Sequence, residues 1–178
     1  MAAPTAEELQ KEGLRLFQEG LYDEAAQRFS EALEHFAEEG HEIEAGEMLN
    51  NIGIIRRKQS RWDDALASIE EARRIFARAG DKSREAQALG NMGSIYAALK
   101  RQDEAIQAWS AAAAAFEEIG DRQKQGDTLM ALGMSLFKSG RRQEGLAAYQ
   151  AGMQIVEKPT AMQKLSRTLL AVQARVLR

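Results

Sequence analysis

The chain has 178 residues, 44% of them hydrophobic, with two prolines, no cysteine and a formal net charge of −3. That is enough apolar material for a domain with a core, and the missing thiols exclude disulfides, thiolate metal sites and cysteine nucleophiles. Abundant Ala, Glu, Gln, Leu and Arg, without Val/Ile/Thr-rich runs, point to an all-α chain.

Thr5 is a good N-cap, with Glu8 as its capping-box partner. The first helix is expected from there to about Glu19, with Leu9, Leu16 and Phe17 at helical spacing and Gly20 as its C-cap. Tyr22-Asp23-Glu24 opens a second helix carrying Ala25, Phe29, Ala32, Leu33 and Phe36, and Gly40 closes it. The pattern then recurs. A helix over about Ile43 to Gln59 carries Leu49, Ile52, Gly53 and Ile55, and Ser60 stands where the turn glycine stood. Trp62-Asp63-Asp64 opens its partner, which holds Ala65, Ile69, Ala72 and Phe76. The third unit uses Leu89, Met92, Gly93 and Tyr96, then Ala105, Trp109, Ala112 and Phe116. The fourth uses Leu129, Leu132, Gly133 and Leu136, then Gly145, Tyr149, Gly152 and Val156. After it the rule breaks. Lys158-Pro159-Thr160 replaces the Gly-acid turn, and a last helix over about Ala161 to Leu177 has the atypical, basic outer face of a solenoid cap.

The repeat is 40 residues long. Gly13, Gly53, Gly93 and Gly133 keep one phase, and so do Ala25, Ala65, Ala105 and Gly145 twelve residues later. A glycine inside a helix costs roughly 1 kcal/mol relative to Ala. Four at one phase imply a helix crossing too close for a Cβ. Phe29, Ile69, Trp109 and Tyr149 are then expected to fill the space between hairpins.

Reactive constellations are missing. His35 and His41 lie in no metal-binding spacing, and there is no phosphate loop, dinucleotide fingerprint or nucleophile elbow. Asp63-Asp64 and Asp103-Glu104 open helices, where negative charge suits the dipole. Arg56-Arg57-Lys58 with Arg61 sits at a helix C-terminus, where cations are favoured for the same reason; an anion or acidic-peptide site is the alternative. No enzyme activity, metal or cofactor is expected. No apolar run approaches the ~18 residues needed to span a bilayer. The opening residues lack the basic and apolar stretches of a signal peptide, so a cytoplasmic location without membrane partners is expected. Residues 1–55 carry 13 acids and three bases, and the remainder carries a net +7. A mildly acidic chain is a poor general nucleic-acid binder. The asymmetry reads as solvated helix faces, or as head-to-tail self-association.

In the third unit, Leu89, Met92, Gly93 and Tyr96, followed by Ala105, Trp109 and Ala112, match the two helix signatures of the tetratricopeptide repeat. The chain resembles that family over residues 5–157 as four repeats (about 5–42, 43–82, 83–122 and 123–157), with 160–177 as a capping helix. The period of 40 rather than the usual 34 resembles the longer subclass of kinesin light chains and spindle-orientation adaptors. The usual proline near Ala37, Ala77 and Glu117 is missing, so the second helix is expected to run on to the next turn.

The resemblance implies a right-handed superhelical solenoid, its first helices lining a concave face that binds a peptide segment of a partner protein. Carried over by position, Lys11, Asn51, Asn91 and Ala131 face that groove. Leu14, Ile54, Ser94 and Met134 do so too, as do Phe17, Arg57, Ala97 and Phe137. Asn51 and Asn91 resemble asparagines that hydrogen-bond a bound peptide's backbone; the alternative is a bond between neighbouring helices. Ile54, Met130, Met134 and Phe137 supply the expected apolar contacts, with Ser94 beside Asn91. A carboxylate clamp of the chaperone-binding subclass is not expected. Its places hold Gln10, Leu14, Asn51, Gln87 and Asn91, without the cations. The expected function is a non-enzymatic scaffold for a protein or peptide partner. The alternative is a structural protein that self-associates into a homo-oligomer.

Overall fold

A computed structural model describes residues 3–156, so the expected cap helix at 160–177 and its Lys158-Pro159-Thr160 turn lie outside the described residues. Eight helices and no strand occur among the described residues. They are α1 (Ala6–Glu19), α2 (Tyr22–Glu38), α3 (Glu42–Lys58), α4 (Trp62–Ala79), α5 (Lys82–Ala98), α6 (Gln102–Glu118), α7 (Arg122–Lys138) and α8 (Arg142–Ile155). The chain falls into two compact units that part at the α5–α6 turn, after Arg101. In the first, each helix from α1 to α5 packs against the next; in the second, α7 packs on both α6 and α8.

The local reasons for these helices are visible at their ends. Thr5 and Glu8 form the expected capping box: the Glu8 backbone N–H donates to Thr5 Oγ1 at 3.3 Å, and the Thr5 N–H donates to Glu8 Oε2 at 3.0 Å. Asp81 and Asp121 cap α5 and α7 by accepting from the backbone N–H groups of Arg84 and Lys124, at 2.9 and 3.0 Å. Glu42 and Lys58 bound α3, within one residue of the expected span.

Leu9, Leu16, Phe29, Phe36, Met48, Ile52 and Ile55 form one buried cluster beneath α1, α2 and α3. Phe29 and Phe36 are each 1% exposed. Burying a side chain of this size stabilises by about 1.5–3 kcal/mol, so the cluster is the main cohesion of these helices. Gly13, Gly53 and Gly133 have the expected steric origin. A Cβ on Gly13 would lie 2.8 Å from the Phe29 ring. Between α7 and α8 the approach is closer still. A Cβ on Gly133 would stand 2.6 Å from the Gly145 carbonyl, and one on Gly145 would stand 2.7 Å from the Gly133 carbonyl. That backbone-to-backbone contact explains why Gly145 replaces the alanine of the other repeats.

The turns close with left-handed residues. Gly20, Gly40, Gly80, Gly120 and Gly140 have positive φ, but Ser60 (φ 59) and Lys100 (φ 61) occupy the same place with a side chain. At Ser60 the helix ending is complete: its N–H donates to the Arg57 carbonyl at 3.1 Å and the Arg61 N–H to that of Arg56 at 2.8 Å. A left-handed L-residue costs about 1–2 kcal/mol, whereas glycine adopts the conformation freely. Ser60→Gly is therefore expected to stabilise the chain by about 1 kcal/mol, read as a higher urea midpoint with an unchanged slope. An unchanged or lower midpoint would count against strain at this turn.

Candidate functional site

In the first unit, α1, α3 and α5 line a cleft of about 360 Å³. Gln10 and Leu14 come from α1, Glu47, Asn50 and Asn51 from α3, and Ser83, Arg84 and Gln87 from α5, with Phe76 of α4 beside them. Its walls are fastened across the helices. Arg84 Nε donates to Glu47 Oε1 at 2.5 Å and Arg84 Nη1 to Asp81 Oδ2 at 2.6 Å. One turn further along, Asn91 Nδ2 donates to Asn50 Oδ1 at 3.1 Å. On the far side of α5, Arg73 of α4 bonds both Glu70 and Glu85, at 2.9 and 3.2 Å.

These contacts set the ionisation of the wall. Burial pushes the Asp81 carboxyl up, but the Arg84 backbone N–H, the guanidinium hydrogen bond and its charge outweigh that and hold the group below its ordinary range. Hydrogen bonds to Glu47 and then Asp81 raise the Arg84 guanidinium against its own burial.

The expected groove residues on α3 and α5 part company here. Asn51 is half-buried on the cleft, and its side-chain amide has no hydrogen-bond partner among the described residues. Asn91, its counterpart one repeat on, takes the interhelical alternative through Asn50. Ser94 Oγ donates back to the Gly90 carbonyl at 3.1 Å, which commits its proton within the helix. Ile54 lines a smaller apolar hollow with Leu14, Phe17, Phe29 and Asn51. The sequence pattern missed Glu47, Ser83 and Arg84 as lining residues. For Glu47 and Arg84 the signal was a bond between helices, which no single-helix periodicity carries.

Met130, Met134 and Phe137 belong to the second unit. Met130 does not lie open as expected: it is 7% exposed and packs with Met153, Val156 and Tyr149. The cause is the glycine-lined approach of α8, which closes over that face of α7. Met134 and Phe137 are 55% and 56% exposed. With Leu146 and Tyr149 they line an apolar hollow of about 230 Å³, floored by Gly133 and Gly145, which have no side chains to fill it. The Arg142 guanidinium lies 5.8 Å from the Phe137 ring centre.

The histidines stay apart from any site. His41 Nδ1 lies 3.3 Å from Glu39 Oε2. No group of three or more His, Asp or Glu side chains able to hold a metal occurs among the described residues.

A family model for the tetratricopeptide repeat matches residues 5–77 and 44–118. The chain belongs to the tetratricopeptide repeat family. Membership makes it a helical-repeat protein-interaction scaffold. No curated protein matches the sequence. Solved structures of the same fold include BtubC (BKLC) from P. vanneervenii, at 22% identity and a TM-score of 0.78 over 84% of this chain and 62% of that one. The apo form of RapI matches at 19% identity and a TM-score of 0.81, over 87% of this chain and 43% of that one. Aspartyl phosphate phosphatase F from Bacillus subtilis matches at 16% identity and a TM-score of 0.81, over 84% of this chain and 39% of that one. This tetratricopeptide chain thus spans less than two thirds of each of those proteins. No helix among the described residues is long and apolar enough to cross a membrane.

The depressed Asp81 carboxyl has a consequence for stability. A carboxylate whose folded value is lowered contributes fully above its unfolded value of about 3.9, and the contribution is lost as pH falls through the folded value. Asp81→Ala is expected to cost about 1 kcal/mol near pH 7, as a lost helix cap. The gap between variant and wild type should narrow as the pH falls below the unfolded value. Urea unfolding at neutral and at acid pH measures it; a gap of equal size at the two would show that the charge of Asp81 is immaterial.

Proposed function

We propose that the first unit binds an extended peptide segment of a partner protein in the cleft between α1, α3 and α5, without catalysis. The observation that carries this reading is Asn51, an amide on a preformed polar cleft with neither its donors nor its acceptor engaged by any described residue. An amide side chain matches a peptide unit, donor to acceptor and acceptor to donor. Gln10, facing the same cleft from α1, is a second amide of this kind. Ile54 with Leu14 and Phe17 supplies an adjacent apolar seat for a side chain of the same segment. The cleft volume falls within the range of ligand sites. Asn91 serves by holding α3 to α5 through Asn50, and Ser94 leaves only its oxygen free to accept.

The test uses a random 12-residue peptide library displayed on phage and selected on the full chain. A selected peptide is then titrated by fluorescence anisotropy. Asn51→Ala is expected to weaken binding about tenfold, the loss of one well-formed hydrogen bond, with helical circular dichroism unchanged. Equal affinity for variant and wild type would overturn the assignment.

A second reading, self-association, is supported by the apolar hollow of the second unit. Met134, Phe137 and Leu146 are all exposed there, beside Lys138 and Arg142. The acidic N-terminal third of another copy, with a net −10 over residues 1–55, is the occupant whose charge complements that rim. Light scattering is expected to give a dimer mass for the wild type and a monomer mass for Phe137→Ser. A monomeric wild type at high concentration and low salt would remove this reading.

A further inference from the structure

The charged side chains that line the cleft of the first unit are matched inside the protein. Glu47 takes its counter-charge from Arg84, whose guanidinium also reaches Asp81. Asp81 has a second source of its own. It accepts the Arg84 backbone N–H at 2.9 Å at the start of α5, where the helix dipole favours a carboxylate. The cations near the end of α3 do not serve the cleft: Arg56 donates to Ser68 Oγ, Arg61 pairs with Asp64 Oδ2 at 2.7 Å, and neither lines it. What the lining leaves unused is neutral. The side chains of Gln10 on α1 and Asn51 on α3 have no hydrogen-bond partner among the described residues, and Asn50 commits only its oxygen, to Asn91. All three amides are half-buried.

We infer that the cleft selects an uncharged segment and receives an asparagine or glutamine side chain from it. This rests on the peptide-cleft reading and adds to it the chemical class of the bound segment. A ligand amide brings a donor and an acceptor together, the complement of Gln10 on one wall and Asn51 on another. A charged side chain fares worse. It leaves water to meet amide dipoles alone, because Glu47 and Arg84 are occupied with each other. An ion desolvated without a counter-charge costs more than a neutral polar group that finds its hydrogen bonds. An entering carboxylate meets no unpaired cation, and an entering ammonium has to displace Arg84 to reach Glu47. Residues 1–55 carry a net −10, which draws cations to the surface of this unit. Salt screens that attraction, and it does not pay for desolvation within the cleft.

The test selects the displayed 12-residue library on the full chain in about 0.15 M salt, where charges are screened over about 8 Å. Expected is an asparagine or glutamine at one fixed position of the enriched peptides, with neither acid nor base there. The strongest peptide is then made again with that amide changed to the matching acid, and with it changed to lysine. By fluorescence anisotropy both forms should bind the wild type about tenfold more weakly. Asn51→Asp keeps the shape of the side chain and places an unmatched carboxylate in the cleft; Arg84→Gln releases Glu47 instead. Each is checked for helicity by circular dichroism, and each should bind the lysine peptide about tenfold more tightly than the wild type does. Enrichment of a charged residue at the fixed position, or a lysine peptide bound equally by the wild type and both variants, overturns the selectivity and leaves the cleft standing. A selection that enriches no peptide, or binding insensitive to Asn51→Ala, overturns the cleft reading, and the selectivity falls with it.

Discussion

Where α7 crosses α8 there is room for two backbones and no side chain. The same steric demand recurs in milder form at Gly13, which faces the ring of Phe29 instead of a carbonyl. The rest of the α1–α2, α3–α4 and α7–α8 hairpins is arranged around that close approach. It fixes which face of the first helix is consumed by packing, and so which residues remain to line a cleft. A repeat of 40 residues then places equivalent residues on successive first helices. The glycines weaken their helices locally by roughly 1 kcal/mol each. The aromatic and aliphatic side chains that the approach lets bury more than offset this.

Architecture was largely legible in the sequence because it is periodic. The capping box at Thr5, the α3 boundaries and the tight approach at Gly13, Gly53 and Gly133 all follow from local rules, and each is found as expected. The cleft was legible only in part. Asn51 and Asn91 occupy equivalent places and look alike in sequence, yet they differ in use. Asn91 meets an acceptor on α3, Asn50, whereas Asn51 faces Gln10 across the cleft without a bond. That difference depends on what the preceding helix offers, which a repeat alignment hides. Met130 shows the opposite failure. It has the chemistry of an adaptable surface and sits beside two residues that are exposed, but the α8 backbone comes close enough to bury it.

Charge follows the same logic of position. Most ion pairs among the described residues join side chains three or four positions apart, as with Arg15 and Glu19, or Arg141 and Glu144. Such exposed pairs contribute little to stability. Arg84 is different, because it ties α5 to Glu47 on α3 and to its own cap at Asp81. Arg57, on the same helix as Glu47, has no such tie. A wall braced by Arg84 is ordered before any ligand arrives.

The bond between Asn50 and Asn91 has a kinetic side. Two first helices joined by a side-chain bridge do not have to find their spacing during an encounter. A ligand entering such a cleft meets formed walls and bears little ordering cost on the protein side. Association then proceeds at the pace of diffusion and orientation, and what separates a good ligand from a poor one is the time it stays. In the proposed complex, a small half-buried amide pair thus moves discrimination from arrival to departure.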